Sequence, residues 1–251
     1  MRILVCNDDG IEAPGLAMLV KAAQSLSPDV WCVAPEQKRT AAGSSLTIDR
    51  PLTMTRKGER RYSCSGTPAD CVVTAMTWLF GADDRPDLVL SGINDGRNVG
   101  EDLAYSGTLG VAREASFWQV PAIALSRVKK PHLADGDIDW VIHLLQTLVE
   151  RRSEWMLEGH WLSINLPERL PARMAQPQIG RDKIARKINV LEDDGEKTIL
   201  KVPRGREHAT QGDDENHRIA AGEATIQRLK WFAETPLPTA FVDRTPDFPS
   251  V

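Results

Sequence analysis

Long uninterrupted runs of apolar residues are missing from this sequence of 251 residues. A helix that crosses a membrane needs about 20 consecutive, mostly apolar residues. The apolar run at residues 3–6 is too short, and acidic residues follow it too quickly, for a secretory signal. We therefore expect a cytoplasmic protein that has no membrane partner.

An excess of positive charge is also missing. The chain has 31 lysine and arginine residues against 35 aspartate and glutamate residues, and its formal net charge is -4. Proteins that bind a nucleic-acid duplex usually carry a basic surface. We therefore expect no duplex partner, and an anionic substrate would need positive charge supplied locally.

Cysteine and histidine are scarce, with four and five residues. The cysteines form no Cys-x-x-Cys pair and lie in or beside apolar runs, which favours buried reduced thiols over disulfides or zinc ligands. No histidine lies in a glycine-rich loop, so a histidine ligand or base has little support. The dinucleotide fingerprint Gly-x-Gly-x-x-Gly is absent after the first predicted strand, which argues against a nicotinamide or flavin cofactor.

An acidic pair directly follows the first apolar run. Residues 2–6 suit a strand that is covered on both faces, as in a parallel sheet, and Asp8 and Asp9 lie just beyond it. Such strands carry their chemistry at the carboxyl end, where two carboxylates can converge on one hard cation. The alternative is an ordinary acidic turn that ends at Gly10, and these residues alone do not separate the two interpretations.

Strand and helix patterns alternate along the first two thirds of the chain, which predicts an α/β fold. We expect a catalytic core over residues 1–172 and an extension over residues 173–251 that packs on the core or on another subunit. The extension contains a hairpin whose turn lies at residues 192–196 and then an irregular proline-containing tail. The predicted strands are residues 2–6, 30–35, 86–91, 121–126 and 161–167, the predicted helices are residues 14–25, 109–117 and 138–149, and edge strands are expected at residues 52–55 and 61–65. Thr67, Pro68 and Asp70 precede the apolar run at residues 71–76 and predict a further helix that begins with a capping box.

Two further loops follow predicted strands. The loop at residues 36–47 could bring the hydroxyl of Thr40 to a cation and turn Lys38 and Arg39 towards an anion, or it is a solvated linker. Ser106, Gly107 and Thr108 open a predicted helix, where N–H groups and hydroxyls can bind an anion, although Thr108 could equally be an ordinary helix cap.

Together these loops resemble a known family, the SurE survival-protein nucleotidases. Five motifs occur in the family's order across residues 1–126. They are Asn7-Asp8-Asp9-Gly10, Val33-Ala34-Pro35 with Ser45-Leu46-Thr47, Gly66-Thr67-Pro68-Ala69-Asp70-Cys71-Val72, Ser91-Gly92-Ile93-Asn94 with Gly96, Asn98 and Gly100, and Tyr105-Ser106-Gly107-Thr108.

The resemblance implies a Rossmann-like three-layer α/β sandwich with a mostly parallel sheet and a carboxyl-terminal β-hairpin extension and tail. It implies a divalent-metal phosphatase that acts on nucleoside 5′-monophosphates, also on 3′-monophosphates, and in some members on polyphosphate. One Mg²⁺ or Mn²⁺ per subunit is expected, with Ca²⁺ as a cation that could occupy the site in crystals. Assembly as a homodimer or homotetramer is implied as well.

The resemblance also assigns roles by position. Carried over from the family, the metal ligands are Asp8, Asp9, Thr40 and Asn94, and the phosphate pocket is lined by Asn98, Ser106, Gly107 and Thr108. Asp8 and Asp9 are in addition the expected catalytic residues, because one of them would orient or deprotonate the attacking water.

One departure from the family pattern keeps an alternative function open. Thr40 and Ala41 stand where the family usually has serine and glycine; threonine keeps the hydroxyl, but the glycine is lost. A nucleotide-binding regulatory protein with weakened catalysis is therefore an alternative. A haloacid-dehalogenase-type phosphatase is another, although that chemistry needs Asp-x-Asp and here the carboxylates are adjacent.

Overall fold

A nine-stranded, mostly parallel sheet forms the centre of the fold in the computed structural model, which describes residues 1–81, 83–129, 135–181, 188–202 and 212–231. Its strand order is β3-β4-β2-β1-β5-β6-β7-β11-β8. The six strands from β4 to β7 in this order run parallel, and antiparallel β3 and β11 flank them. The strands are β1 (Arg2–Cys6), β2 (Asp29–Pro35), β3 (Met54–Gly58), β4 (Arg61–Cys64), β5 (Leu88–Asp95), β6 (Ala122–Arg127), β7 (His160–Leu166), β8 (Met174–Ala175), β9 (Asn189–Asp193), β10 (Thr198–Lys201) and β11 (Ala224–Lys230).

Helices cover both faces of this sheet. One face packs against α1 and α5 through buried residues such as Leu19 and Leu145, and the other packs against α2 and α4 through residues such as Val72 and Leu109. The result is the expected three-layer α/β sandwich. The helices are α1 (Pro14–Gln24), α2 (Pro68–Thr74), which continues as a π-helical turn (Ala75–Leu79), α3 (Asp102–Tyr105), α4 (Gly107–Phe117), α5 (Asp135–Glu150), α6 (Arg152–Trp155) and α7 (Glu215–Ala220).

Most predicted elements of the core are present within a few residues of the expected bounds. The difference that concerns the site is β5, which we predicted to end at Ser91 because glycine and asparagine follow it. The strand instead continues to Asp95, and Asn94 pairs with Ser126 of β6 beyond an irregularity in the register. Asn94 is therefore fixed by the sheet and does not lie on a loop.

The start of α2 is held by the capping box that the sequence predicts. The Thr67 side chain accepts a hydrogen bond from the Asp70 N–H at 3.1 Å, and the Asp70 carboxylate accepts one from the Thr67 N–H at 2.8 Å. Asp70 also accepts a hydrogen bond from the Thr47 N–H at 3.0 Å. The same carboxylate therefore caps a helix and anchors the end of the loop that contains Thr40.

The region after residue 172 contributes to the central sheet as well as to a hairpin. β11 pairs antiparallel with β7 over six residue pairs, and β8 adds to its outer side. β9 and β10 form a separate two-stranded hairpin that turns at Gly195, which confirms the predicted hairpin. We expect its first arm over residues 183–191, and residues 183–187 of this arm lie outside the described part of the chain. The expected tail, residues 232–251, also lies outside it. The division at residue 172 stays a prediction.

Among the described residues, no helix has both the length and the apolar character that a bilayer crossing requires.

Candidate functional site

The turn after β1 presents the acidic pair. The Asn7 side chain closes this turn, because its Oδ1 accepts a hydrogen bond from the Gly10 N–H at 3.2 Å and its Nδ2 donates one to the Gly10 carbonyl at 3.0 Å. Gly10 has a φ of 106°, which a residue with a side chain rarely adopts. Asp8 and Asp9 are therefore held in a fixed turn at the carboxyl edge of the sheet.

Asp8 is a buried carboxylate with one hydroxyl partner. Its side chain is close to fully buried, with 6% of the residue exposed, and Thr108 Oγ1 donates a hydrogen bond of 2.6 Å to its Oδ1. Burial, with a smaller contribution from the neighbouring charge of Asp9, raises the pKa of Asp8 to about 6 against the lowering effect of the Thr108 hydroxyl. A positive charge beside this carboxylate would offset the cost of burying it.

Asp9 is linked to two other elements of the site. The Lys38 ammonium forms an ion pair with Asp9 Oδ1, and the backbone N–H of Asp95 donates a hydrogen bond of 3.0 Å to Asp9 Oδ2. Lys38, which we expected to face an anion, therefore neutralises a carboxylate of the site. The Arg39 guanidinium instead donates to the Ser65 carbonyl at 3.0 Å, away from the acidic pair.

The amino-terminal end of α4 lies directly against Asp8. A Cβ atom built on Gly107 would lie 2.7 Å from Asp8 Cβ and 3.0 Å from Asp8 Oδ2, so only glycine fits this contact without a shift. The helix is capped by Ser106, whose Oγ accepts a hydrogen bond from the Leu109 N–H at 3.2 Å. The cap is thus Ser106 and not Thr108, and the Thr108 hydroxyl is directed to Asp8.

The two remaining expected ligands, Asn94 and Thr40, lie on β5 and on the loop after β2, the two strands that flank β1. Asn94 is half-buried, and its Nδ2 donates a hydrogen bond of 2.8 Å to the Gly96 carbonyl, so its Oδ1 is the atom that can bind a cation. Thr40 is exposed and follows Arg39, whose N–H donates a hydrogen bond of 2.7 Å to the Asp8 carbonyl. The structure therefore brings the β1, β2 and β5 ends together.

Asn98 is placed differently from the other expected phosphate-binding residues. It is buried, and its Nδ2 donates a hydrogen bond of 2.7 Å to Ser126 Oγ. Its backbone makes two bonds with the Asn165 amide, from the Asn98 N–H at 2.8 Å and to the Asn98 carbonyl at 2.9 Å. Sequence reasoning missed Ser126 and Asn165 because strands β6 and β7 show only apolar patterns around them.

The donor set fits a hard divalent cation. Two carboxylates, a hydroxyl and an amide oxygen are ligand types that Mg²⁺ and Mn²⁺ prefer. The buried Asp8 carboxylate and the adjacent Asp9 together carry more negative charge than Lys38 neutralises. Within the described ranges, no three histidine, cysteine or acidic side chains gather as a metal cluster, so a cation here would depend on neutral oxygen ligands as well.

Ala41, beside the expected ligand Thr40, carries backbone strain that a substitution can test. Its φ of 59° costs an L-residue about 1–2 kcal/mol, so Ala41→Gly is expected to raise the free energy of unfolding by about 0.5–1 kcal/mol after the entropic cost of glycine. Urea unfolding at constant m-value measures the change. Ala42→Gly is the matched control. Because Ala42 has no positive φ, this variant should have a lower free energy of unfolding than the wild type. Equal effects at both positions would contradict the prediction.

Comparisons with known proteins agree with this geometry. Residues 3–188 match the family model described as Survival protein SurE. The chain belongs to the SurE family. This membership confirms the resemblance drawn from the five loop motifs.

Individual SurE relatives extend the similarity over most of the chain. The 5′-nucleotidase SurE of Paramagnetospirillum magneticum is 41% identical over 204 residues, which are 77% of this chain and 75% of that protein. The 5′-nucleotidase SurE of Parvibaculum lavamentivorans is 48% identical over 188 residues, which are 72% and 66% of the two chains. The crystal structure of the SurE protein from Aquifex aeolicus superposes with a TM-score of 0.74 at 28% identity, and covers 92% of this chain and 93% of that one.

Proposed function

We propose that this chain is a divalent-metal-dependent 5′-nucleotidase that hydrolyses nucleoside 5′-monophosphates to nucleoside and phosphate. One observation carries the proposal: the acidic pair at the end of β1 directly contacts the start of α4, through the Thr108 hydroxyl and the glycine contact with Asp8. Membership of the SurE family and relatives that are named 5′-nucleotidases support it. Activity on 3′-monophosphates and on polyphosphate is part of the proposal.

The proposed cation site consists of Asp8, Asp9, Thr40 and Asn94. Mg²⁺ or Mn²⁺ held there would neutralise phosphoryl oxygens and lower the pKa of a bound water. The Lys38 ion pair with Asp9 places a second positive charge at the same edge of the sheet. Because Lys38 and the acidic pair together carry a net negative charge, the cation would supply the positive charge that an anionic ester needs in this acidic protein.

The proposed phosphate site consists of Asn98, Ser106, Gly107 and Thr108. The first N–H groups of a helix have no acceptor within the helix, and the helix dipole favours negative charge at this end. Because Gly107 has no side chain, the backbone of α4 can approach both Asp8 and a phosphoryl group closely. The start of α4 would then stabilise charge on the phosphoryl oxygens during transfer.

The reaction replaces one P–O bond by another. A water oxygen would bond to phosphorus as the ester P–O bond breaks, and a proton from the water would pass to Asp8 or Asp9. The departing nucleoside oxygen would take up a proton from solvent, and the carboxylate would release its proton to solvent. Asp8 is fixed by Thr108, and Asp9 is fixed by the Asp95 N–H. The chain's own contribution is therefore to hold both carboxylates in a constant orientation towards the water.

Phosphate release from a panel of nucleoside 5′- and 3′-monophosphates tests the function. We expect release that EDTA suppresses and that added Mn²⁺ or Mg²⁺ restores, because the two carboxylates need the cation to bind an anionic ester. The same assay mixture with the metal ions and without the protein is the control. Nucleotide binding without phosphate release would favour the regulatory alternative, and a trapped aspartyl-phosphate would favour haloacid-dehalogenase chemistry.

Assembly and location are proposals of the same kind. A homodimer or homotetramer and a cytoplasmic location are expected from the family resemblance and from the sequence, and sedimentation of the full chain measures the first of them.

A further inference from the structure

Glu215 connects the last part of the described chain to the glycine-rich loop beside the site. It is the first residue of α7, its side chain is completely buried, and its Oε1 accepts hydrogen bonds from the Gly100 N–H at 2.5 Å and the Gly180 N–H at 3.3 Å. A buried acid that forms no ion pair with the described residues is uncommon in proteins. The contact spans 115 positions of sequence, so it is a specific tertiary link.

The loop that Glu215 contacts is buried at Val99, and two glycines in it have an unusual backbone conformation. Gly96 and Gly100 both have positive φ values, 141° and 54°, and glycine permits many backbone conformations. On the side of Asn98, the loop is held by the Asn165 amide of β7. Without Glu215, the loop would lose the bond at Gly100, two residues beyond Asn98. The loop is thus fixed at two points by side chains from elsewhere in the chain.

Asn165 and Glu215, the two residues that hold the loop, lie on elements that pack together. β11 pairs with β7 and places Thr225 opposite Asn165, and α7 immediately precedes β11 and packs against it. α7 itself is capped by Asp214, whose side chain accepts a hydrogen bond from the His217 N–H at 2.9 Å. Glu215 is therefore presented to Gly100 from a capped helix that rests on the sheet.

We propose that Glu215 is a positioning residue for phosphate binding, which acts by fixing Gly100 and, through it, Asn98. This inference rests on the proposed function and deepens it. It assigns a role to the part of the chain whose sequence carries no motif for the reaction. Glu215 does not touch the substrate; it sets the geometry of the loop that does.

Burial makes an acid at position 215 compatible with a nearby phosphate, because it favours the uncharged form of the carboxyl group. Desolvation raises the pKa of Glu215, and the neighbouring acids Asp214 and Asp102 raise it further, in opposition to the two backbone N–H donors. Its Oε2 has no hydrogen-bond partner among the described residues. Glutamine keeps the accepting oxygen and the size of the side chain, so it can replace the acid.

The test compares Glu215→Ala with Glu215→Gln. We expect Glu215→Ala to weaken competitive inhibition by inorganic phosphate about tenfold and to lower kcat/KM on a nucleoside 5′-monophosphate by a similar factor, mainly through KM, because loosened loop geometry reduces binding. Glu215→Gln should keep the phosphate inhibition constant and kcat/KM close to the wild-type values. Glu215→Asp, whose oxygen no longer reaches Gly100, should behave like alanine and serves if Glu215→Ala does not fold.

Glu223→Gln is the matched control, because it removes the charge of an acid just after the same helix, where Glu223 pairs with Arg218, and leaves Glu215 and the helix cap in place. It should leave Tm and the phosphate inhibition constant close to those of the wild type. If Glu223→Gln weakens phosphate binding as much as the Glu215 variants do, or if Glu215→Ala and Glu215→Asp bind phosphate like the wild type, the positioning role is wrong. A wild-type chain that releases no phosphate with Mn²⁺ would instead overturn the proposed function.

Discussion

Asp9→Ala is expected to lower the turnover of a nucleoside 5′-monophosphate at saturating Mn²⁺ by at least about 100-fold, the size of loss seen when a main electrostatic group is removed from an active site. Asp9 pairs with Lys38 and accepts the Asp95 N–H, so its removal leaves the ammonium without its carboxylate and Asp8 as the remaining acid of the pair. Initial rates of phosphate release measure the effect.

Asp95→Asn is a matched control for Asp9→Ala. It also removes one negative charge from the carboxyl edge of the sheet, but the Asp95 side chain is half-exposed and faces Lys129 at 4.0 Å, while its backbone N–H to Asp9 is retained. We expect turnover close to wild type. Comparable losses in both variants would mean that general charge, and not the position of Asp9, determines the rate, and turnover of Asp9→Ala near wild type would reject the site.

Gly107→Ala is expected to lower turnover by about 100-fold, because a shift of about 1 Å in a reacting group can cost this much. The added methyl group would lie 2.7 Å from Asp8 Cβ and 2.9 Å from Pro68 Cγ, so the helix start or Asp8 must move. The same change favours the helical backbone by up to about 1 kcal/mol. The activity loss should therefore occur in a folded protein, which circular dichroism and thermal unfolding can verify.

Gly136→Ala provides the comparison for Gly107→Ala. Gly136 lies in α5, where an added Cβ atom meets nothing within 4 Å. This variant should gain a little stability and keep wild-type turnover. If Gly107→Ala were as active as Gly136→Ala, close contact between α4 and Asp8 would not be needed for the reaction.

The sequence predicted those parts of the molecule that depend on local signals. The β1 strand, the α1 helix and the capping box of Thr67 and Asp70 were expected from runs, spacing and caps, and the structure contains all of them. The extension of β5 to Asp95 was missed, since glycine and asparagine usually end a strand and only the pairing with β6 continues it.

Contacts between distant residues could not be predicted in the same way. Ser106 and Thr108 are both reasonable caps, and only the fold shows that one caps α4 while the other donates to Asp8, 100 positions away. The positions of the acidic pair could be argued from the end of one strand. Two other contacts depend on how strands and loops pack in three dimensions. They are the ion pair of Lys38 with Asp9 and the hydrogen bond from the Gly100 N–H to Glu215.

The bond between Glu215 and Gly100 has a consequence for how the molecule is made. A ribosome adds about 5–20 residues per second, so roughly 6–23 seconds pass between the synthesis of Gly100 and the addition of Glu215. During that interval β1, β5 and α4 are already available to form the acidic pocket, but its outer loop lacks its last anchor. A nascent chain, or one terminated before residue 215, would therefore carry the acidic pair in an incomplete pocket, and full phosphate binding would arise only after Glu215 has been added.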